Sequence, residues 1–301
     1  MTDTTSLDVR PLGNEIGAEI LGLDLREPMS NELVAKIENA LYQHAVIVIR
    51  EQTLDTEQLA TFGKHFGPLQ PSGRRKVKNK DADNRVQPET PNINFISNIK
   101  KNGKNMGSSD AGVYWHSDLC YEEIPSKATM LHALEIPEKD GAVYGSTRFT
   151  NVAAAYDVLT KDMKARLDGL MAVNSFRYMW NKKAHEFGRR PALSQEELNK
   201  LTPDVTHPVV RTHPATKRKC LYVCEGYSSQ ITDISKQDSD SLLKELFAHI
   251  IKPEFRYKHE WRVGDLLIWD NCTVQHKATF DYEAPLRRLM QRCTVQGSKT
   301  F

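Results

Sequence analysis

The sequence predicts a mainly β fold with helices flanking it. Short strand-like runs recur in the C-terminal half at 209–212, 219–223, 255–261, 265–269 and 288–295, each bounded by Gly, Pro, Asn or Asp. Such a series favours a sandwich or barrel over a parallel α/β sheet. Amphipathic helical stretches lie before and between the runs. Neither a GxGxxG segment nor a P-loop accompanies them, so a nucleotide-phosphate cradle has no support.

Taken in order, Leu33, Val34, Ile37 and Leu41 recur at helical spacing in Asn31–His44, and the β-branched run 45–49 suits a buried strand. Asp55 with Gln58 has the form of a capping box, and Leu59, Phe62 and Phe66 continue the apolar face until Gly67-Pro68 stops the helix. Residues 71–111 read as a long basic loop around one strand, Ile93–Ser97; a loop of that size is expected to be an active-site lid. Residues 151–170 read as helix, and 174–191 as a second irregular insert and second lid candidate. Ser194 with Glu197 forms another capping box, and 235–251 carries Leu242, Leu243, Leu246 and Ile250 on one stripe. One domain, 1–301, with these two inserts is the expected organisation.

Composition narrows the function. Among 301 residues, 41 Lys and Arg against 39 Asp and Glu leave a net charge of +2, which argues against a general nucleic-acid binder. No apolar stretch approaches the roughly 18 residues of a membrane span, and the first residues show no secretory pattern. The five cysteines, Cys120, Cys220, Cys224, Cys272 and Cys293, are odd in number and widely spread, as expected of reduced thiols in the cytoplasm.

The chemistry concentrates in two stretches. In Trp115-His116-Ser117-Asp118, residues two apart would share one face of a strand, and an imidazole beside a carboxylate can ligate a divalent metal. A distant histidine would complete two His and one carboxylate with open positions, the ligand set of non-haem Fe(II) oxygenases. Taken alone, the triplet also suits a polar strand end or a surface His beside a capping Asp. The second stretch runs from Gly264 through Trp269-Asp270-Asn271 to His276 and then to Arg287, Arg288 and Arg292. Arg288 and Arg292, four apart, would share a strand face opposite Arg287, and guanidinium groups entering an apolar site need anionic partners. A dicarboxylate cosubstrate would satisfy them; ordinary surface salt bridges are the other reading.

The paired WHSD and WDNxxxxH motifs, followed by arginines, resemble the TauD/TfdA group of Fe(II)- and 2-oxoglutarate-dependent dioxygenases. The resemblance runs from 16–20 and 48–52 through Phe66-Gly67-Pro68-Leu69 to the Arg-rich C-terminal strand. It implies a double-stranded β-helix, or jelly-roll (cupin-like), core with His116, Asp118 and His276 as catalytic iron ligands. Residues 144–149 resemble the family's GGDTxF segment, which implies that Thr147 binds 2-oxoglutarate. Arg288 resembles the arginine that pairs with the distal 2-oxoglutarate carboxylate, and Arg292 the one that reaches the iron end of the site and an anionic substrate group. The implied cofactors are Fe(II), 2-oxoglutarate and O2, with succinate and CO2 released as a C–H bond of a small anionic substrate is hydroxylated. Candidate substrates are a sulfonate, sulfate ester or aryloxyalkanoate. No nucleic-acid or membrane partner is implied, and homo-oligomerisation is open. A non-catalytic 2-oxoglutarate sensor on the same fold is the alternative. The sequence departs from the pattern at Tyr144, Ser146 and Cys272, and by one extra residue between His276 and Arg288.

The remaining candidates have plainer expectations. Cys220 and Cys224 would face one side but lack a second ligand pair, so core or surface thiols are expected rather than zinc. His132, His213 and His259 read as strand residues with local hydrogen bonds. The basic inserts 74–80 and 182–190 read as solvated faces able to attract a small anion, and Phe176, Tyr178 and Trp180 as an aromatic wall.

Overall fold

A computed structural model describes residues 7–13, 15–71, 85–86, 88–187 and 193–301. The chain is mainly β with several helices. Its largest sheet has seven strands, in spatial order Asp8–Pro11, Ala18–Leu21, Val46–Ile49, Leu266–Asp270, Ser126–Glu135, Leu289–Gln296 and Ile93–Ser97. All neighbours are antiparallel except Ala18–Leu21 beside Val46–Ile49. A three-stranded sheet, Arg256–His259, Thr147–Asn151 and Val274–Ala278, packs against it.

The large sheet is buried on both faces, which is why its central strands read as continuous apolar runs rather than alternating ones. Ile47, Ile49, Leu266, Ile268, Met130 and Val295 point to one side, onto Ile37 and Leu41 of the helix Asn31–His44 and Leu59 and Phe62 of the helix Thr56–Lys64. The alternate residues Val46, Val48, Leu131, Leu267, Trp269 and Met290 meet Phe149 and Val274 of the small sheet. Each such fully buried side chain contributes about 1.5–3 kcal/mol of transfer free energy. A third cluster joins Leu242, Leu243, Leu246 and Ile250 of the helix Lys236–Ile250 to the short helix Val152–Asp157.

Both expected capping boxes form, at Asp55/Gln58 and Ser194/Glu197. Elsewhere the elements differ from expectation for local reasons. Ala45 does not open the strand. It adopts φ 63° and donates its N–H to Leu41 O at 2.7 Å, closing the preceding helix. The stretch 151–170 is two helices, because the Thr160 hydroxyl accepts from Met163 N and starts a second one, Lys161–Leu167. Within the insert 174–191, of which 188–191 lie outside the described residues, the described part is not irregular: Phe176–Phe187 is a helix that buries Met179, Trp180 and Lys183, the lysine paired with Asp110 at 2.8 Å. Its polar residues masked that stripe. Within 71–111, Ile93–Ser97 forms as expected, joined by a ribbon of Lys100–Lys101 and Lys104–Met106 whose turn residues, Asn102 and Gly103, both have positive φ. The basic run 74–80 lies outside the described residues.

Cys220 and Cys224 do not share a side. The strand Lys219–Leu221 ends first, so Cys220 joins the helical cluster and Cys224 packs with Cys120 and Tyr222. All five cysteines are buried and free. Among the described residues no helix is long and apolar enough to cross a membrane.

Candidate metal centre

Two backbone segments 160 residues apart in sequence meet at a single antiparallel bridge, where His116 N donates to His276 O at 3.1 Å and His276 N to His116 O at 2.9 Å. Asp118 then lies at a turn, with Leu119 at φ 56°, rather than in a strand as the two-residue spacing suggested. The turn swings its carboxylate back onto the two rings. His116 Nε2 stands 3.7 Å and His276 Nε2 4.0 Å from the carboxylate oxygens. One donor atom from each of the three residues lies within 4.8 Å of the others, and all three residues are buried.

These distances are too long for hydrogen bonds, and the protonation states suit a cation instead. Burial pushes the His276 pKa down to about 3 and lowers that of His116, so both imidazoles are neutral. The His116 Nδ1 proton is shared between two carbonyls, Tyr114 O at 2.9 Å and His276 O at 3.0 Å, which turns its Nε2 lone pair toward the cluster. Burial alone would raise the Asp118 pKa, but Arg292 and the two histidines outweigh it and hold the carboxyl well below its usual range. Two neutral nitrogens and one carboxylate thus converge, as an Fe(II) site requires.

Asp118 is held from both ends by Asn271. The Asn271 Oδ1 accepts from Asp118 N at 3.2 Å and from Trp269 Nε1 at 3.1 Å, while its Nδ2 donates to Thr129 Oγ1 at 2.9 Å. Thr129 in turn donates to Asp118 Oδ2 at 2.6 Å. Asp270 fixes the turn that carries Asn271, accepting from His213 Nε2 and Cys272 N, each at 2.9 Å, and from Thr273 Oγ1. His213 Nδ1 makes the local bonds expected of it, accepting from Ala215 N at 3.1 Å and from Thr216 N at 3.0 Å, while its Nε2 bonds across the fold. So do His132, to Gln52 O, and His249, to Ala155 O. Replacing Asn271 with alanine is expected to weaken divalent-metal affinity about 10- to 100-fold. A chelator competition with Co(II) measures it.

The other expected residues surround this cluster. Thr147 opens the strand Thr147–Asn151 two residues before Phe149, the cross-strand partner of His276, so the three side chains share the inner face. Its hydroxyl accepts from Trp261 Nε1 at 3.1 Å, leaving its proton to donate. Arg292 places Nη2 2.7 Å from Asp118 Oδ1. Arg288 is 5% exposed and, among the described residues, has no carboxylate partner and no hydrogen-bond partner at its Nε. The strand starts at Leu289 and its register shifts at Met290, so period-two spacing does not carry from Arg292 to Arg288. Arg287 makes the ordinary surface pair, with Glu135 at 2.7 Å.

The longer connection after His276 turns back onto the Thr147 segment. Asp281 Oδ1 accepts from Gly145 N at 2.7 Å, and Ser146 Oγ bonds Thr279 Oγ1 at 3.0 Å. Tyr282 packs so close to Gly145, which has φ +70°, that a Cβ there would meet its ring at 2.9 Å. Tyr282 also faces Arg288, whose charge opposes the rise that burial imposes on the phenol pKa. Thr129 and Trp261 thus support the site without having been singled out. Asn271, inside the WDN motif, and Tyr282, between His276 and Arg288, stood in the second chemical stretch of the sequence but without a role.

The sequence profile described as "Taurine catabolism dioxygenase TauD, TfdA family" matches residues 8–294. The chain belongs to the TauD/TfdA family. As a family member it is a 2-oxoglutarate-dependent non-haem iron dioxygenase using Fe(II), 2-oxoglutarate and O2. It is 31% identical over 301 aligned residues to the alpha-ketoglutarate-dependent 2,4-dichlorophenoxyacetate dioxygenase of Cupriavidus pinatubonensis, covering 96% of this chain and 98% of that one. Among solved TauD/TfdA-like structures, a taurine dioxygenase from Burkholderia xenovorans superposes with a TM-score of 0.77 at 29% identity, covering 98% and 92% of the two chains. AAD-2 in complex with Mn(II) and N-oxalylglycine gives 0.80 at 28% identity, covering 98% of each.

Proposed function

We propose that this enzyme hydroxylates a C–H bond of a small organic anion carrying an aromatic body, an aryloxyalkanoate before a compact sulfonate or a sulfate ester. The observation that carries the reading is a row of rings ending at the metal cluster. Trp180 and Phe176 lie 6.2 Å apart, Phe176 and Tyr121 5.0 Å, Tyr121 and Tyr227 5.2 Å, and Tyr227 reaches His116 at 5.9 Å. Rings so spaced form a wall for an aryl group, and Arg292, beside Asp118, is placed to meet an anionic group at the same end. The similarity to a 2,4-dichlorophenoxyacetate dioxygenase points the same way.

In this reading His116, Asp118 and His276 hold Fe(II), which supplies, with 2-oxoglutarate and O2, the oxidising power for hydroxylation, with succinate and CO2 as co-products. Arg288 receives the far carboxylate of 2-oxoglutarate as a bidentate donor, and the Thr147 hydroxyl donates to the same cosubstrate. Asn271 and Thr129 keep the Asp118 carboxylate aimed. The seven- and three-stranded sheets are the two halves of a double-stranded β-helix in a single domain, 1–301, and the inserts 71–111 and 174–191 are its lids. Five free buried thiols support a reducing, cytoplasmic setting.

An anaerobic visible-absorption titration of metal-free protein tests the proposal. A weak charge-transfer band that needs both Fe(II) and 2-oxoglutarate, and shifts with an aryloxyacetate but not with taurine, is expected. A folded, iron-loaded protein without the band contradicts the ligand assignment; a shift with taurine alone contradicts the substrate class.

A further inference from the structure

The outer face of the three-stranded sheet carries a row of cations that the reaction does not use. Cross-strand register sets Lys258 opposite Arg148, and Arg148 opposite Lys277. They alternate with Thr147, His259 and His276 along their strands and so project away from the metal cluster. Like charges directly opposite one another destabilise a sheet. Lys258 is relieved by Glu260 at 2.8 Å. The side chains of Arg148 and Lys277 have no ion-pair or hydrogen-bond partner among the described residues. They also line a cavity of about 380 Å³, a size suited to a small ligand. Its apolar walls include Phe187 and Phe280, 44% and 40% exposed. Lys183, also at the cavity, is already committed to Asp110.

We infer that this cavity is a second anion site, separate from the metal cluster, for a small aromatic carboxylate or sulfonate. The anionic group lies between Arg148 and Lys277 and relieves their repulsion, and the ring packs against Phe187 and Phe280. Two cations without counter-ions among the described residues fit one small anion, whereas an apolar ligand would leave the repulsion in place.

Equilibrium dialysis of the full chain, without added metal, against 2-naphthoate and its neutral analogue 2-naphthamide tests the site. Saturable naphthoate binding is expected, with the amide weaker by about tenfold, and the Arg148→Gln/Lys277→Gln double variant weaker by about the same factor. Arg148→Lys, which keeps the charge, is expected to retain binding. Both residues are surface cations, so the double variant should melt no lower than wild type, confirming that the fold is intact. Naphthoate affinity unchanged in the double variant overturns the inference, as does an absence of saturable binding to the wild-type chain.

Discussion

Asp118→Asn is expected to abolish Fe(II) binding and succinate formation while preserving the volume of the side chain. The carboxylate is the only anionic group in a cluster whose other two donors are neutral imidazoles. An amide in its place leaves a divalent cation with no charge compensation in a buried site. The substitution also strips Arg292 of its 2.7 Å partner. A guanidinium left unpaired with its side chain only 22% exposed costs up to about 3 kcal/mol, and the metal-free variant should melt several degrees lower. Adding Arg292→Gln to Asp118→Asn removes the stranded charge and should restore the melting temperature without restoring metal binding. Anaerobic metal analysis, coupled O2 and succinate assays and a thermal melt together separate the two losses. Turnover by Asp118→Asn with iron supplied would show that Asp118 is not a ligand.

Arg288→Ala should produce the opposite pairing of effects. The buried guanidinium has no carboxylate partner among the described residues, and burial lowers its pKa despite the help of Tyr282. A charge-assisted contact of this kind is worth about 1.5–3 kcal/mol, so the KM for 2-oxoglutarate should rise on the order of 10- to 100-fold. The KM for the primary substrate should change little. Without cosubstrate the variant is expected to melt higher than wild type, because a costly buried charge is gone. With 2-oxoglutarate present the order reverses, since only the wild type gains binding stabilisation. A KM change confined to the primary substrate would reassign Arg288.

How far the sequence disclosed this arrangement depends on the kind of information each feature needs. The sheet strands Val46–Ile49 and Leu266–Asp270, read from sequence as 45–49 and 265–269, were legible because burial on both faces writes itself as a continuous apolar run. The helix Phe176–Phe187 was not, because its buried stripe includes a lysine whose neutralising partner, Asp110, lies far away in sequence. Ser126–Glu135, central to the large sheet, was recognised only at His132; its Lys127, Thr129 and His132 carry their own tertiary bonds and dilute the apolar signal. The cluster of His116, Asp118 and His276 was legible as residue types within two motifs. Its means of assembly was misread, since a bridge and a turn, not one strand face, bring the side chains together. Thr129 could not be found from sequence at all. Its hydroxyl matters only because Asn271 and Asp118 arrive on either side of it.

The bridge between His116 and His276 also bears on biosynthesis. A chain emerging from the ribosome presents His116 and Asp118 long before His276, 160 residues behind, and at about 5–20 residues per second that interval lasts many seconds. During it the nascent polypeptide offers no three-donor set from these residues. On the proposed ligand set, iron acquisition would be deferred until the C-terminal strands have docked, so that an oxidising centre would not be assembled on a half-made, solvent-open chain.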